Sequence, residues 1–172
     1  MPYMDEQTIN WAVFEDGTEF LGMATATLPG TDMQTQEVSG AGISGSYTVP
    51  TTGHVGPRTL TLNFIQYSEA ARKLKQPGLH LIDLRHVDSY YDPASAELKE
   101  RQVKHVYKME HLSTSGATIG TAIMQNPSGT YSVRSEVIYV DGTEVEAIDP
   151  AAYKYTVNGT DYLASHRNFL GR

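Results

Sequence analysis

Cysteine is absent from this chain, which excludes disulfides and thiolate metal sites. Charge is also scarce. Charged residues make up 19 % of the 172 positions, and basic residues are outnumbered 13 to 20. The net charge of −7 argues against a protein that grips nucleic acid by its phosphates, which needs a basic footprint. It leaves room for one that lets nucleic acid slide past without sticking. No apolar run approaches the ~20 residues of a membrane span. The opening Met-Pro-Tyr-Met-Asp-Glu has neither the basic start nor the apolar stretch of a secretion signal. These features predict synthesis in a reducing cytoplasm and no membrane insertion by the free chain. Tryptophan occurs once and phenylalanine 4 times, against 11 tyrosines. Tyrosine suits sheets and interfaces, where a ring buries its face while the hydroxyl stays hydrated.

What is present is a single domain long enough for a core, and its dominant period is two. Thr59-Leu-Thr-Leu-Asn-Phe64 places Leu60, Leu62 and Phe64 on one face and Thr59, Thr61 and Asn63 on the other. Tyr131, Val133, Val137 and Tyr139 read as a second aligned set. Such alternation predicts half-buried antiparallel strands. Asp16-Gly17, Asp141-Gly142 and Asn158-Gly159 are tight-hairpin signals, because type I′ turns need positive φ. One helix is expected: Ser68 caps Glu69-Ala-Ala-Arg-Lys-Leu-Lys75, and Pro77-Gly78 ends it. Residues 94–102 read as a second helix or as a loop between long strands at 79–90 and 102–112. The longest irregular segment is 43–58, rich in Gly, Ser, Thr and Pro. A loop of that length inside a compact domain is functional or disordered.

Chemical motifs are weak. Gly40-Ala-Gly-Ile-Ser-Gly45 matches the dinucleotide pattern G-x-G-x-x-G, but that chemistry needs a helix N-terminus directly afterwards. Ser46-Tyr-Thr-Val-Pro50 cannot open one. The glycines instead predict a backbone with positive φ. His80 and His86 share a strand parity, as do His105 and His111. Six residues along a strand is about 20 Å, too far for one metal ion. Cross-strand pairing of His80 or His86 with His105 stays open as a metal site. Glu144/Glu146 and Asp83/Asp88 are acid pairs that read as solvated strand faces rather than a hydrolytic cleft. Asn158-Gly-Thr160 is a glycosylation sequon without meaning in a chain lacking a secretion signal. The expectations are therefore no catalytic residue, no cofactor and no metal.

Three stretches near the C-terminal end follow in order. They are Ser135-Glu-Val-Ile-Tyr-Val-Asp-Gly-Thr-Glu-Val-Glu-Ala-Ile-Asp149, Tyr155-Thr-Val-Asn-Gly-Thr-Asp-Tyr-Leu163 and Ser165-His-Arg-Asn-Phe-Leu-Gly171. At the front lie Trp11-Ala-Val-Phe-Glu-Asp-Gly17, Phe20-Leu-Gly22, Ala26-Thr-Leu-Pro29 and Gly40-Ala-Gly-Ile-Ser-Gly45. The series resembles the major tail tube protein of contractile-tailed bacteriophages over about half the chain, at its two ends. Residues 80–130 resemble that family only in strand pattern.

The resemblance implies a mainly β subunit, an antiparallel sandwich or partly open barrel with one flanking helix, whose strands close into a large barrel in a hexameric ring. Rings stack into a hollow tube that sheath contraction drives through the target envelope, and the phage genome passes down it. The implied partners are further copies of the chain, the sheath, a tape-measure protein in the lumen, and the baseplate hub and tail terminator. The implied location is the virion tail, assembled in the bacterial cytoplasm. Ile43, Tyr47, Val49, Pro50, Val55 and Arg58 are the expected ring-stacking loop. Thr59, Thr61 and Asn63 are a candidate lumen face, as is Lys104/Lys108/Glu110 if the lysines have acidic neighbours. An acidic lumen would repel phosphate. His166, Arg167 and Arg172 are the expected contact between subunits. Two alternatives stay open: the inner tube of a genome-free contractile bacteriocin or injection system, and an unrelated β-sandwich binding module or enzyme. Size separates the last, because a module stays small while a tube protein forms rings or filaments.

Overall fold

The period-two segments do pair as antiparallel strands in the computed structural model, which describes residues 3–22 and 24–171. The described elements run β1 Met4–Glu15, β2 Glu19–Phe20, β3 Ala24–Thr27, β4 Met33–Ser39, β5 Ser46–Val55, β6 Thr59–Phe64, α1 Glu69–Lys73, β7 Leu79–Asp92, β8 Glu97–Thr114, β9 Ser128–Val140, β10 Thr143–Asp149, β11 Lys154–Val157, β12 Thr160–Asp161 and α2 Ala164–Leu170. One sheet has the order β12-β11-β10-β9-β8-β7-β1-β2, with β6 pairing both β9 and β3. A separate two-stranded sheet holds β4 and β5. The fold is mainly β and antiparallel, and its sheet is open, not a closed barrel. Among the described residues no helix is long and apolar enough to cross a membrane.

The sheet forks at β9. Residues 128–132 of β9 pair with β6, and residues 136–140 pair with β10. Between them lies a bulge: Lys108 faces Ser135 while Met109 faces Val133, so Arg134 is the extra residue. A bulge bends its strand and raises the local twist, which lets the two ends of β9 diverge. It also reverses the side-chain parity. Contrary to the sequence expectation, Tyr131 and Val133 do not share a face with Val137 and Tyr139. Past Arg134 it is Glu136, opposite Tyr107, that points into the core side.

The core lies between the inner face of β1, β7, β8 and β9 and the elements β6 and α1. Leu60, Leu62 and Phe64 are buried as their alternation predicted, together with Ile82, Tyr107 and Met109. Ser68 caps α1 as expected, its hydroxyl accepting from the Ala71 amide at 3.2 Å. Residues 94–102 are not helical. Strands β7 and β8 continue to a four-residue turn with Ala96 at φ +55°, and Asp92 accepts from the Ala94 amide at 3.0 Å. A second helix, α2, forms over the stretch that holds His166 and Arg167.

All three hairpin signals form turns. The φ values are +50° and +73° at Asp16-Gly17, +48° and +80° at Asp141-Gly142, and +49° and +74° at Asn158-Gly159. A Cβ at Gly142 would meet nothing within 4 Å, so the cost of a substitution there is purely conformational. Gly142→Val is expected to lose about 1–2 kcal/mol, the cost of forcing a branched residue to positive φ. A thermal melt checks this, and an unchanged midpoint would contradict the turn's dependence on glycine.

Candidate assembly site

The segment expected as an irregular loop is half of a β-hairpin. Strands β4 and β5 pair from Ser39↔Ser46 at the tip to Met33↔Val55 at the base. The glycine motif is the tip itself: Gly42 and Gly45 sit at φ +93° and +122°, and the Ile43 amide bonds to the Gly40 carbonyl at 3.2 Å. A strand follows it rather than a helix, so no dinucleotide cradle exists there. This arm is exposed along nearly its whole length and contributes nothing to the core cluster. Ile43, Tyr47 and Val49 are exposed on it at 41, 54 and 39 %, and Pro50 is exposed as well. Isolated two-stranded hairpins are marginal in water, so these apolar side chains need a cover that the subunit alone does not supply.

Arg58 does not belong with them. It is buried, and its guanidinium pairs with Glu136. The same side chain donates to the carbonyls of Gly30 at 3.1 Å and Pro29 at 3.4 Å, just ahead of the arm. The Gly56 amide adds a bond to the Asp32 carbonyl at 2.8 Å. Arg58 therefore roots the arm on β9 instead of projecting with it.

The base of the arm leans on α2. Between them lies a groove of about 560 Å³ lined by Gly53, Val55, Tyr153, Leu163, His166 and Phe169, among others. Val55 and His166, expected in two separate contacts, thus share one surface. Arg167 is also engaged within the subunit: it donates to Asp161 at 2.6 Å and to the Tyr153 carbonyl at 2.7 Å. Arg172 lies outside the described residues. Phe169 and Leu170, which the sequence did not single out, end α2 at 88 and 59 % exposure. Their only sequence signal is an apolar pair inside an otherwise polar terminal stretch.

The far side of the sheet is polar around β6 and mixed on β7 and β8, where Leu81, Val87, Val106 and Tyr139 share the face of Lys104 and Lys108. Thr59, Thr61 and Asn63 continue across the strand pairs to Ser132 and Thr130 on β9 and to Thr27 and Thr25 on β3, and Asn63 donates to the Thr25 hydroxyl at 3.1 Å. The two candidate lumen sets are therefore parts of one surface. Lys104 does have an acidic neighbour, Asp83 at 2.9 Å, and Glu110 pairs with Arg134 at 2.9 Å. Lys108 has no ion pair among the described residues. With Arg85 bound to Asp83 at 3.0 Å, this surface carries both signs and is not acidic.

Polar groups are buried beneath the sheet. Glu136 is opposed by burial, but hydrogen bonds from His105 and Arg58 and the Arg58 charge outweigh that and hold its carboxyl below the usual range. Burial, with Glu136 beside it, pushes the Tyr107 hydroxyl up, so it stays a donor. His105 Nδ1 lies 3.2 Å from that hydroxyl, and its Nε2 lies 3.1 Å from Nε2 of His86. His86 Nδ1 in turn lies 2.8 Å from Asp88. The cross-strand approach of His86 to His105, left open above as a metal site, is one link of this hydrogen-bonded chain. Among the described residues no group of three His, Cys, Asp or Glu side chains is placed to hold a metal ion. His80 sits elsewhere, 2.7 Å from Glu15.

The acid pairs are not solvated faces. Asp83 is 4 % exposed, and Glu144 bonds Lys154 at 2.6 Å. Burial, and then the Glu136 charge, push the Glu146 carboxyl above its ordinary range. A raised carboxyl binds its proton more tightly folded than unfolded, so its ionised form weakens the fold at neutral pH. Glu146→Gln is expected to raise the melting temperature at pH 7, with the gain fading as pH falls through the carboxylate range. A gain equal at pH 4 and pH 8 would assign it to packing instead.

None of the curated proteins matches the chain. Two chains of an extracellular contractile injection system share its fold. One is from the PVC sheath–tube complex in the extended state, with TM-score 0.52 and 13 % identity over 76 % of this chain and 88 % of that one. The other is from the PVC sheath/tube terminator in the extended state, with TM-score 0.54 and 12 % identity over 78 % and 96 %. The model of the family "Phage tail tube protein FII" matches residues 5–171, which takes in both ends that carried the resemblance and the middle that did not. The chain therefore belongs to the phage tail tube protein FII family, whose members are structural tube proteins and not enzymes.

Proposed function

We propose that this tail tube subunit closes with five copies into a ring, that rings stack through the arm into a hollow tube, and that the phage genome passes down the bore. One observation carries the ring: among the described residues the forked sheet ends on three strands, β2, β12 and β3, and the ends at β2 and β3 leave margins for a neighbour. Beyond the two-residue contact with β2, the outer edge of β1 has no described strand beside it, and among the described residues β3 is paired only by β6. Unpaired edges are hazards that a soluble chain covers or uses. Joining the β1 margin of one copy to the β3 margin of the next uses both, and a head-to-tail contact that closes rotationally gives a ring of fixed number. The mixed face, hydroxyl-bearing around β6, would line the lumen.

The contractile setting draws on the injection-system tube and its sheath complex. In this reading the sheath surrounds the tube, a tape-measure protein fills the lumen, and the hub and terminator close the ends, in a phage tail or tail-like particle. The genome-free alternative has the same architecture, and no observation on this chain favours it. Electron microscopy of concentrated protein tests the reading: tubes with an open bore and sixfold end views are expected. A small monodisperse species at every concentration would overturn it.

Passage without sticking requires weak binding to duplex DNA. Net charge is −7 per subunit, and Asp83 and Glu110 engage Arg85, Lys104 and Arg134. Negligible retention of duplex DNA is expected at physiological salt. Micromolar affinity that collapses as salt rises would reveal a phosphate-binding surface.

A further inference from the structure

We propose that the groove between the arm's base and α2 is the socket for the arm tip of a second copy of this chain in the adjacent ring; this rests on the ring-stacking reading above. Tip and socket stand at opposite ends of the arm. Tyr47 pairs with Val38 and Val55 with Met33; the five residues from Val38 to Met33 span about 17 Å of strand, so a tip cannot reach its own socket. The contact joins two different surfaces of identical chains. Repeated without rotational closure, such a contact builds a filament.

The chemistry of the two surfaces matches. The tip offers Ile43, Tyr47 and Val49, all exposed. The socket offers Phe169 and Leu170, exposed at 88 and 59 %, above a floor formed by the buried Leu163. Pocket size fits one aromatic and its neighbours: about 560 Å³, within the range of sites that enclose a compact ligand. The arm strands carry no lysine or arginine and one carboxylate, Glu37, and the socket has no carboxylate among its lining residues to repel it. The socket is also built to transmit force to the arm's root. At Gly53, with φ +75°, a Cβ would lie 2.6 Å from Leu163 Cδ1, so backbone and side chain interlock there. A load received by one socket passes directly into the arm that engages the next.

The absence of native cysteine makes the test clean. The double variant Tyr47→Cys/His166→Cys is co-assembled with an equal amount of the wild-type chain, so that tubes form, and is then oxidised. A disulfide needs Cα atoms within about 7 Å. Cross-linked dimers and longer species, reversed by reductant and missing from each single-cysteine variant, are the expected result. The pair Ile43→Cys/Phe169→Cys repeats the test one side chain away. Normal tubes without cross-linking from either pair would overturn the socket. Dimers from Tyr47→Cys alone would also overturn it, by placing tip against tip. If the wild-type chain forms no tubes at all, it is the stacking reading that fails, and the two failures are told apart before any cysteine is introduced.

Discussion

A subunit without its arm is expected to fold and to build no tubes. Replacing residues 35–52 by an Asn-Gly turn keeps the Met33↔Val55 pair and the Gly56–Asp32 bond at the root. No residue of β4 or β5 belongs to the core cluster, so the melting temperature should stay within a few degrees of wild type. A loss above about 1 kcal/mol would shift it by roughly 2–4 °C in a domain of this size. Polymerisation should fall below detection, because the deletion removes the tip's apolar side chains and leaves each socket empty. In the intact chain, protease should cut near the tip first in free subunits. Tubes should resist it there, because burial at the stacking contact offsets the ordering entropy of the arm. Tubes of normal length from the shortened chain, or equal cleavage of the tip in both states, would show that rings stack through another surface.

The arm was hard to read from sequence for a physical reason. Strand prediction rests on apolar alternation, which marks a face against a core. The arm has no core side, so Ser46 to Val55 mixes Gly, Pro, Ser, Thr and two valines without alternation. Strand β6 and the Asp-Gly turns were legible because burial and positive φ restrict which residues can stand there. Residues 94–102 carry helix-favouring Ala, Glu, Leu, Lys and Arg. Pairing along the whole length of β7 overrides that propensity. The bulge at Arg134 leaves no local mark, so Val137 and Tyr139 were assigned to the wrong face. Helix α2 is seven residues long and has no side-chain N-cap; Asp161 instead accepts from the Leu163 amide at 3.0 Å. Arg58 read as exposed because arginine is seldom buried unless paired, and its partner lies 78 residues away.

That pair sets the largest expected stability loss. Arg58→Met leaves Glu136 buried and without its guanidinium, and leaves the Gly30 and Pro29 carbonyls without their donor. Breaking one side of a buried ion pair costs about 3–5 kcal/mol, a large share of the total stability of a domain. The pH dependence should weaken. In the wild type the Glu136 carboxyl is held low, so its contribution is present above the unfolded carboxylate range and is lost as pH falls. In the variant burial is opposed only by the hydrogen bonds from His105 and Tyr107, so the same carboxyl moves up from its wild-type position. Less stability is then lost as pH falls through the carboxylate range. Glu15 and Asp88, both held low, still destabilise the variant at more acidic pH. Adding Glu136→Gln to Arg58→Met removes the stranded charge and should recover much of the loss. It should not recover assembly, because the arm's root still lacks its bonds to Gly30 and Pro29. The double variant is therefore expected to melt close to wild type and to give few or short tubes. Denaturant melts from pH 4 to 8 with electron microscopy check both halves. A single variant with the wild-type pH profile would show that Glu136 does not depend on Arg58. Full-length tubes from the double variant would show that the root holds the arm without it.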